Sequence, residues 1–322
     1  MNDLDKTSTR DGGHLLLLEP TGLSPHDAVQ PELFDNKITL LESIASKLKE
    51  QGLELEYKAL TGCHRFESVR WCRKCGRSHV VFNHCDRRIC PLCAPVIAQK
   101  RAETLEWWTA TIQQPKHVVL TCRNKERLTK AGVRKFCQNL TLFRRTRFCR
   151  GWRGGFTSVE LTNESRGWHL HAHSLVDADW IDQSELAVKW GQQVGQDFAV
   201  VWVKDGRETN YRKQVLKYTV DSANLAQWPA NEIKQFVRAF RGIRVFTTWG
   251  SAYRQRQEFA AWKKATKEIR NKCECGWKFD GFGRKEEYEL WFDQMTRRRL
   301  ELGRDPHCHD TSDTPAAPEL PF

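Results

Sequence analysis

The feature that most constrains this fold is an alternating apolar–polar pattern on both sides of one short turn. It spans residues 156–176 and reads FTSVELTN, then a polar turn ESRG, then WHLHAHSLV. Alternation with a period of two is typical of β-strands, and a short turn containing Gly167 joins the two arms. The sequence therefore predicts a β-hairpin.

This hairpin places histidines and a carboxylate on the same side. Successive side chains of a strand point to opposite faces, so His169, His171 and His173 share one face. If the loop covers residues 164–167, Glu160 lies opposite His171 and on that same face. The side chains predicted to face a core are those of Val159, Leu161, Leu170, Ala172 and Val176. A carboxylate and two or three imidazoles on one exposed patch of sheet predict a metal site.

Two cysteine pairs predict a second kind of metal site. They are Cys72-Arg-Lys-Cys75-Gly and Cys90-Pro-Leu-Cys93. Two C-x-x-C units separated by a short basic insert are typical of a structural zinc site, because each unit can direct two thiolates at one ion. Residues that could replace these ligands or form another site are Cys63, His64, His79, His84 and Cys85. A further zinc site at Cys273 and Cys275, with partners in residues 307–309, is a weaker possibility.

The overall charge favours a polyanionic partner. The chain has 322 residues and a formal net charge of +12. Nucleic acid is the commonest partner of such a basic chain. In the cysteine module, Arg73, Lys74, Arg87 and Arg88 are candidate contacts to the DNA backbone, or simply solvated surface. Twelve cysteines, no long apolar run and no signal-peptide core predict a cytoplasmic protein without a membrane span.

Hydrophobic periodicity outlines the remaining elements. Helical spacing occurs at residues 37–53, 96–112, 128–149, 184–194, 211–221, 233–240 and 259–269, and strands are predicted at 116–123, 198–203 and 241–250. The expected class is α+β, an antiparallel sheet with helices against it. The predicted division is a flexible arm at 1–32, a helix and zinc module at 33–100, a catalytic domain at 101–265 and an extension at 266–322, its last part disordered.

The glutamate strand, turn and His-x-His strand resemble those of the HUH endonucleases, in particular rolling-circle plasmid replication initiators. The resemblance makes Glu160, His171 and His173 the ligands of Mg²⁺ or Mn²⁺, with His169 an extra histidine that either orients one of these ligands or serves as an alternative ligand. Lys217-Tyr218 is similar to the later motif whose tyrosine is the nucleophile, and Tyr211 lies seven residues earlier. It also implies a ferredoxin-like palm with a zinc module.

The same resemblance implies the reaction and its partners. Tyr218 would cleave single-stranded or hairpin DNA at a replication origin, forming a 5′-phosphotyrosine and freeing a 3′-hydroxyl primer for a host helicase and polymerase. Lys217 would stabilise the phenolate or contact phosphate. Gln214 stands where such initiators often have a glutamate that ends the reaction, so either Asp221 as a base or Tyr211 as a second nucleophile would complete termination.

Two other functions fit parts of the sequence. A rolling-circle transposase combines a cysteine-rich module with a His-x-His motif, although its tyrosine pair usually has a spacing of four. A non-catalytic zinc protein that only binds DNA would need neither Tyr218 nor Glu160. Nicking of single-stranded oligonucleotides distinguishes the last function from the two enzymes.

Overall fold

The computed structural model describes residues 31–109, 112–164, 167–207, 222–270 and 272–301. Within these ranges the backbone forms two antiparallel sheets with helices packed around them, so the α+β class is confirmed. None of the helices in this described part combines the length and apolar character that a bilayer crossing requires.

The helices are α1 Pro31–Glu50, α2 Glu54–Thr61, α3 Cys93–Thr109, α4 Lys130–Phe143, α5 Gln183–Val194, α6 Ser222–Gln227, α7 Ala230–Phe240, α8 Ser251–Arg254, α9 Arg256–Arg270 and α10 Lys285–Glu301. The strands are β1 Glu67–Trp71, β2 Ser78–Phe82, β3 Pro115–Thr121, β4 Gly154–Glu164, β5 Gly167–Asp177, β6 Val201–Asp205, β7 Phe246–Gly250 and β8 Gly281–Gly283. The elements absent from the sequence prediction include β1, β2, β8 and α10.

The larger sheet has the strand order β6-β3-β5-β4-β7, and every neighbouring pair is antiparallel. The predicted hairpin is β4–β5, and its histidine strand β5 is the central strand. Its register pairs Glu160 with His171, as the sequence predicted. Gly167 begins β5 with φ of 89°, and a Cβ there would lie 2.8 Å from the Lys125 carbonyl oxygen. Glycine is therefore required where this close approach fixes the register.

One face of this sheet packs on the main core. Helices α1, α4, α5 and α7 contribute apolar residues to that core, and Ile44 and Leu48 of α1 are completely buried. The strand residues in it include Val118, Leu120, Val159, Leu161, Leu170, Ala172, Val176 and Val201. Each large apolar side chain buried here contributes roughly 1.5–3 kcal/mol. The predicted core-facing set of the hairpin is thus confirmed.

The opposite face carries the histidines and is also covered at one end. A second, smaller core there joins Leu105 and Trp108 of α3 to Phe156, Leu175 and Ala252. The period-two pattern predicted an exposed patch here, and that prediction is wrong. Glu160 is only 6% exposed and His173 only 8%.

The smaller sheet has the order β2-β1-β8 and joins distant parts of the chain. Trp71 of β1 lies against Gly281 of β8, where a Cβ would clash with its indole ring. Its ring also packs on Tyr288 and Trp291 of α10. Residues 272–301 therefore fold back on residues 67–82, and packing crosses the domain boundaries predicted from sequence.

Candidate metal sites

The histidine–glutamate group lies on the two long central strands. The Glu160 Oε2 atom is 3.2 Å from the His171 Nε2 atom and 3.6 Å from the His173 Nε2 atom. One ligand atom from each of the three residues lies within 4.8 Å of the others. His169 is outside this group, although its ring centroid is 5.5 Å from that of His171. The structure therefore brings together three of the four predicted ligands.

Buried polar atoms without partners support cation binding at this group. Among the described residues, Glu160 Oε1, Ser158 Oγ and His171 Nδ1 are shielded from solvent without a hydrogen-bond partner. Buried polar atoms without partners are costly, and a buried carboxylate normally has a cation or a donor beside it. Two imidazole nitrogens and a carboxylate fit a divalent cation such as Mn²⁺, and Mg²⁺ is also compatible.

His117 of β3 supports the group from the next strand. Its Nε2 atom lies 3.1 Å from the His173 Nδ1 atom, on the side of that ring opposite Glu160. Burial, with a smaller effect of the Lys204 charge, lowers the pKa of His117 to about 4. A neutral His117 can accept the proton of His173 Nδ1, leaving the His173 Nε2 lone pair for a cation. The sequence prediction of this site did not include His117. The signal that could have found it is a single histidine in the mostly apolar strand β3.

The first cysteine cluster is Cys63, Cys85, Cys90 and Cys93. Cys63 Sγ lies 3.4 Å from Cys93 Sγ and 3.6 Å from Cys90 Sγ. Four sulfurs arranged tetrahedrally around zinc at about 2.3 Å would be roughly 3.8 Å apart. His84 Nδ1 is 3.7 Å from Cys93 Sγ, beside the cluster. Three of these cysteines belong to the main core.

The second cysteine cluster is Cys72, Cys75, Cys273 and Cys275. Cys72 Sγ is 3.6 Å from Cys275 Sγ, and Cys75 Sγ is 3.3 Å from Cys273 Sγ. The cysteines of both clusters are free thiols. Burial raises the pKa of the Cys72 and Cys75 thiols, whereas a bound cation would favour thiolates. Both clusters can hold a metal such as zinc.

The cysteine grouping predicted from sequence requires correction. The pairs Cys72/Cys75 and Cys90/Cys93 belong to different clusters, because β1 and β2 carry the first pair away from the main core. The signal that was missed is the similarity of the Cys72–Cys75 and Cys273–Cys275 units, each of which is followed directly by a glycine. Gly76 follows one pair with φ of 80°, and Gly276 follows Cys273–Cys275 with φ of 77°. Each glycine amide donates to the carbonyl of the first cysteine of its own unit.

The four basic residues predicted to contact DNA differ in how exposed their side chains are. Arg73, Lys74 and Arg87 have exposed side chains. The Arg88 guanidinium instead donates to the Ile243 carbonyl at 2.9 Å, and burial lowers its pKa. Arg88 thus connects the first cysteine cluster to the segment before β7.

Tyr218, Lys217 and Tyr211 lie outside the described residues, as do Gln214 and Asp221. Along the sequence, the described elements on either side of that segment are the edge strand β6 before it and helix α6 after it.

The face around the histidines carries aromatic and basic residues on both sides. The register places Trp202 of β6, Val119, His173, Ser158 and Phe246 of β7 in one row across the sheet. Trp202 is 58% exposed. On the β7 side, the guanidinium of Arg101 from α3 lies over the Phe246 ring, 5.2 Å from its centroid. The histidine–glutamate group therefore lies between two aromatic positions.

Comparison of this chain with protein-family models, with curated proteins and with solved structures finds no match. The function is therefore inferred from the geometry of the residues themselves.

Proposed function

We propose that this protein is a metal-dependent nickase of single-stranded DNA that starts rolling-circle replication. The observation that carries the proposal is the convergence of Glu160, His171 and His173 on the central hairpin, where one buried carboxylate oxygen has no hydrogen-bond partner among the described residues. Structural metal sites in proteins are usually closed by four ligands, whereas this group has three and leaves coordination positions for substrate oxygens.

The surroundings fit a DNA strand as the substrate. The chain carries a net charge of +12, and an exposed Trp202 flanks the metal group on the same face. Single-stranded DNA is bound by aromatic side chains that stack on bases, together with cations that contact phosphates. Further basic surface lies near the cysteine clusters, at the exposed side chains of Arg73, Lys74 and Arg87. Such a surface can contact the phosphates of hairpin or single-stranded DNA at an origin.

The proposed chemistry is a transesterification. A divalent cation held by Glu160, His171 and His173 would supply Lewis-acid activation of the scissile phosphate. The hydroxyl oxygen of Tyr218 forms a bond to phosphorus, the bond to the 3′ oxygen breaks, and that oxygen receives a proton and leaves as the primer hydroxyl. His117 orients the His173 ring through the contact between its Nε2 atom and His173 Nδ1. Lys217 would pair with the phenolate or a phosphate.

The experiment is a single-turnover nicking assay with Mn²⁺ on single-stranded oligonucleotides that tile the DNA flanking the gene. We expect a covalent protein–DNA adduct whose mass spectrum maps to Tyr218, and no adduct from Tyr218→Phe. His171→Ala and His173→Ala should each slow cleavage at least about a hundredfold. Tyr253→Phe and His169→Ala are the matched controls and should react nearly as fast as the unmodified protein.

Three results would contradict the proposal. Normal cleavage by His173→Ala would remove the metal group from the reaction, and an adduct on a tyrosine other than Tyr218 would reassign the nucleophile. DNA binding without cleavage of any strand would favour the non-catalytic zinc protein.

A further inference from the structure

A cleft of about 180 Å³ opens on the histidine-bearing side of the larger sheet, at the end covered by α3, α8 and α9. Its lining is aromatic with a few hydrogen-bonding side chains: Thr104, Trp107, Trp108, Phe156, Thr248, Ala252, Gln255 and Phe259. Aromatic walls with a small number of polar groups are typical of sites that bind a planar ligand.

The cleft lies on the same face of the larger sheet as the histidine–glutamate group. Phe156 shares a face of β4 with Ser158 and Glu160. The rise of a strand puts Phe156 about 7 Å from Ser158 and about 13 Å from Glu160 along the strand. Thr248 lies directly opposite Phe156 on β7. A short single strand crossing the sheet at the metal group would therefore also pass the cleft.

One donor in the cleft lacks an acceptor. The indole Nε1–H of Trp107 is shielded from solvent and has no hydrogen-bond partner within the described part of the chain. The neighbouring Trp108, by comparison, donates its Nε1–H to Ser251 Oγ at 3.3 Å. A buried N–H without an acceptor is costly, so a purely hydrocarbon ligand would leave that cost in place. A nucleobase brings both a flat π-face and acceptor atoms.

A cation lies beside the cleft. Arg101 is one turn of α3 before Thr104, and its guanidinium lies over Phe246, which pairs with Ser158. Burial, and to a lesser degree the charge of Arg88, lowers the pKa of Arg101 to about 10, so it remains cationic at neutral pH. Among the described residues no carboxylate lies within ion-pair distance of it. A half-buried guanidinium with no carboxylate beside it in the described part of the chain is suited to a phosphate.

We propose that this cleft is a nucleotide subsite that receives one unstacked base of single-stranded DNA, with Trp107 donating to the base and Arg101 contacting its phosphate. The proposal rests on the proposed function for the identity of the strand. The polar edges of Thr104, Thr248 and Gln255 would then give the nickase a base preference near the scissile phosphate.

The test uses fluorescence anisotropy on the full chain, without added Mn²⁺ or Mg²⁺, so that binding is measured apart from cleavage. The probes are fluorescein-labelled 12-nucleotide single strands of random sequence and an abasic strand of equal length. Trp107→Ala should reduce the preference for the base-bearing strand about tenfold, because one stacked base is lost. Arg101→Gln should weaken binding of both strands by a similar factor. Trp180→Ala, which removes an 84% exposed tryptophan outside the cleft, should change neither.

A second measurement needs no variant and therefore covers loss of folding in Trp107→Ala. Photocrosslinking of strands carrying 5-iodouracil to the unmodified protein should label Trp107, Trp108 or Phe259. Crosslinks confined to other regions, or an unchanged base preference in folded Trp107→Ala, would overturn the subsite. Cleavage without a preference for the base-bearing strand would reject the subsite and leave the proposed nickase activity standing. A preference for the base-bearing strand without cleavage would support the subsite and reject the nickase activity.

Discussion

The histidine–glutamate group and the second cysteine cluster differ in how far apart their ligands lie along the chain. Glu160 and His171 are 11 residues apart and face each other across one hairpin. In the second cysteine cluster, Cys72 and Cys275 are 203 residues apart. The histidine–glutamate group lies on one pair of neighbouring strands, whereas the second cysteine cluster is assembled by the pairing and packing of distant segments. A metal in the second cluster would therefore join parts of the chain, whereas one on the hairpin would leave the fold as it is.

The largest effect is expected from the first cysteine cluster. Replacing Cys90 and Cys93 together by serine should give a largely unfolded chain, because these residues lie in the main core. Structural zinc contributes about 10–16 kcal/mol in small zinc modules, comparable to the whole stability of a domain. Far-UV circular dichroism and elemental analysis would check the fold and the zinc content.

A cysteine outside both clusters is the control for that experiment. Cys137→Ser, at a half-buried position of α4, should keep both the zinc content and a cooperative melt. A folded double variant with unchanged zinc would show that the first cluster holds no structural ion.

The second cysteine cluster should give a smaller and local effect. Replacing Cys273 and Cys275 by serine should release one of two zinc ions, the same one released by replacing Cys72 and Cys75. The quadruple variant should then lose no further zinc. The main core should still melt cooperatively, within a few degrees of the unmodified protein, while amide exchange in β1 and β8 accelerates. Elemental analysis and hydrogen exchange measure both.

This comparison also separates the two possible groupings of cysteines. A single site made of Cys72, Cys75, Cys90 and Cys93 predicts that the Cys273/Cys275 variant keeps all of its zinc. Full zinc content in that variant, together with loss of zinc on replacing Cys72 and Cys75, would restore the grouping predicted from the sequence.

The sequence predicted the local part of the structure and not the long-range part. The period of two along β4 and β5 is sufficient to fix the faces, and the turn at Gly167 fixes Glu160 opposite His171. Nothing in one sequence states that β8 pairs with β1, because that pairing depends on contacts such as Trp71 against Gly281. The burial of Glu160 and His173 was also missed, because a period of two shows which face of the sheet a side chain takes and not what covers that face.

The smallest effect concerns His117, which makes the histidine–glutamate group more than a product of one hairpin. Its Nε2 atom is 3.1 Å from His173 Nδ1, and it comes from β3, over fifty residues earlier. If His117 accepts the Nδ1 proton, it fixes the tautomer in which His173 Nε2 faces Glu160. Residues that orient a metal-binding histidine typically change affinity about 10–100-fold when they are removed.

His117→Leu should therefore weaken Mn²⁺ binding about tenfold, at the lower end of that range, because Glu160 and His171 still bind the ion. His117→Gln should recover part of the loss, since its amide oxygen can accept from His173 Nδ1. Thr121→Val, on the same face of β3 and opposite His171, is the matched control and should leave the affinity unchanged. Mn²⁺ titration followed by electron paramagnetic resonance measures this without DNA or turnover. Equal affinities in His117→Leu and the unmodified protein would mean that the hairpin alone orients His173, and the contrast with the cysteine clusters would then be complete.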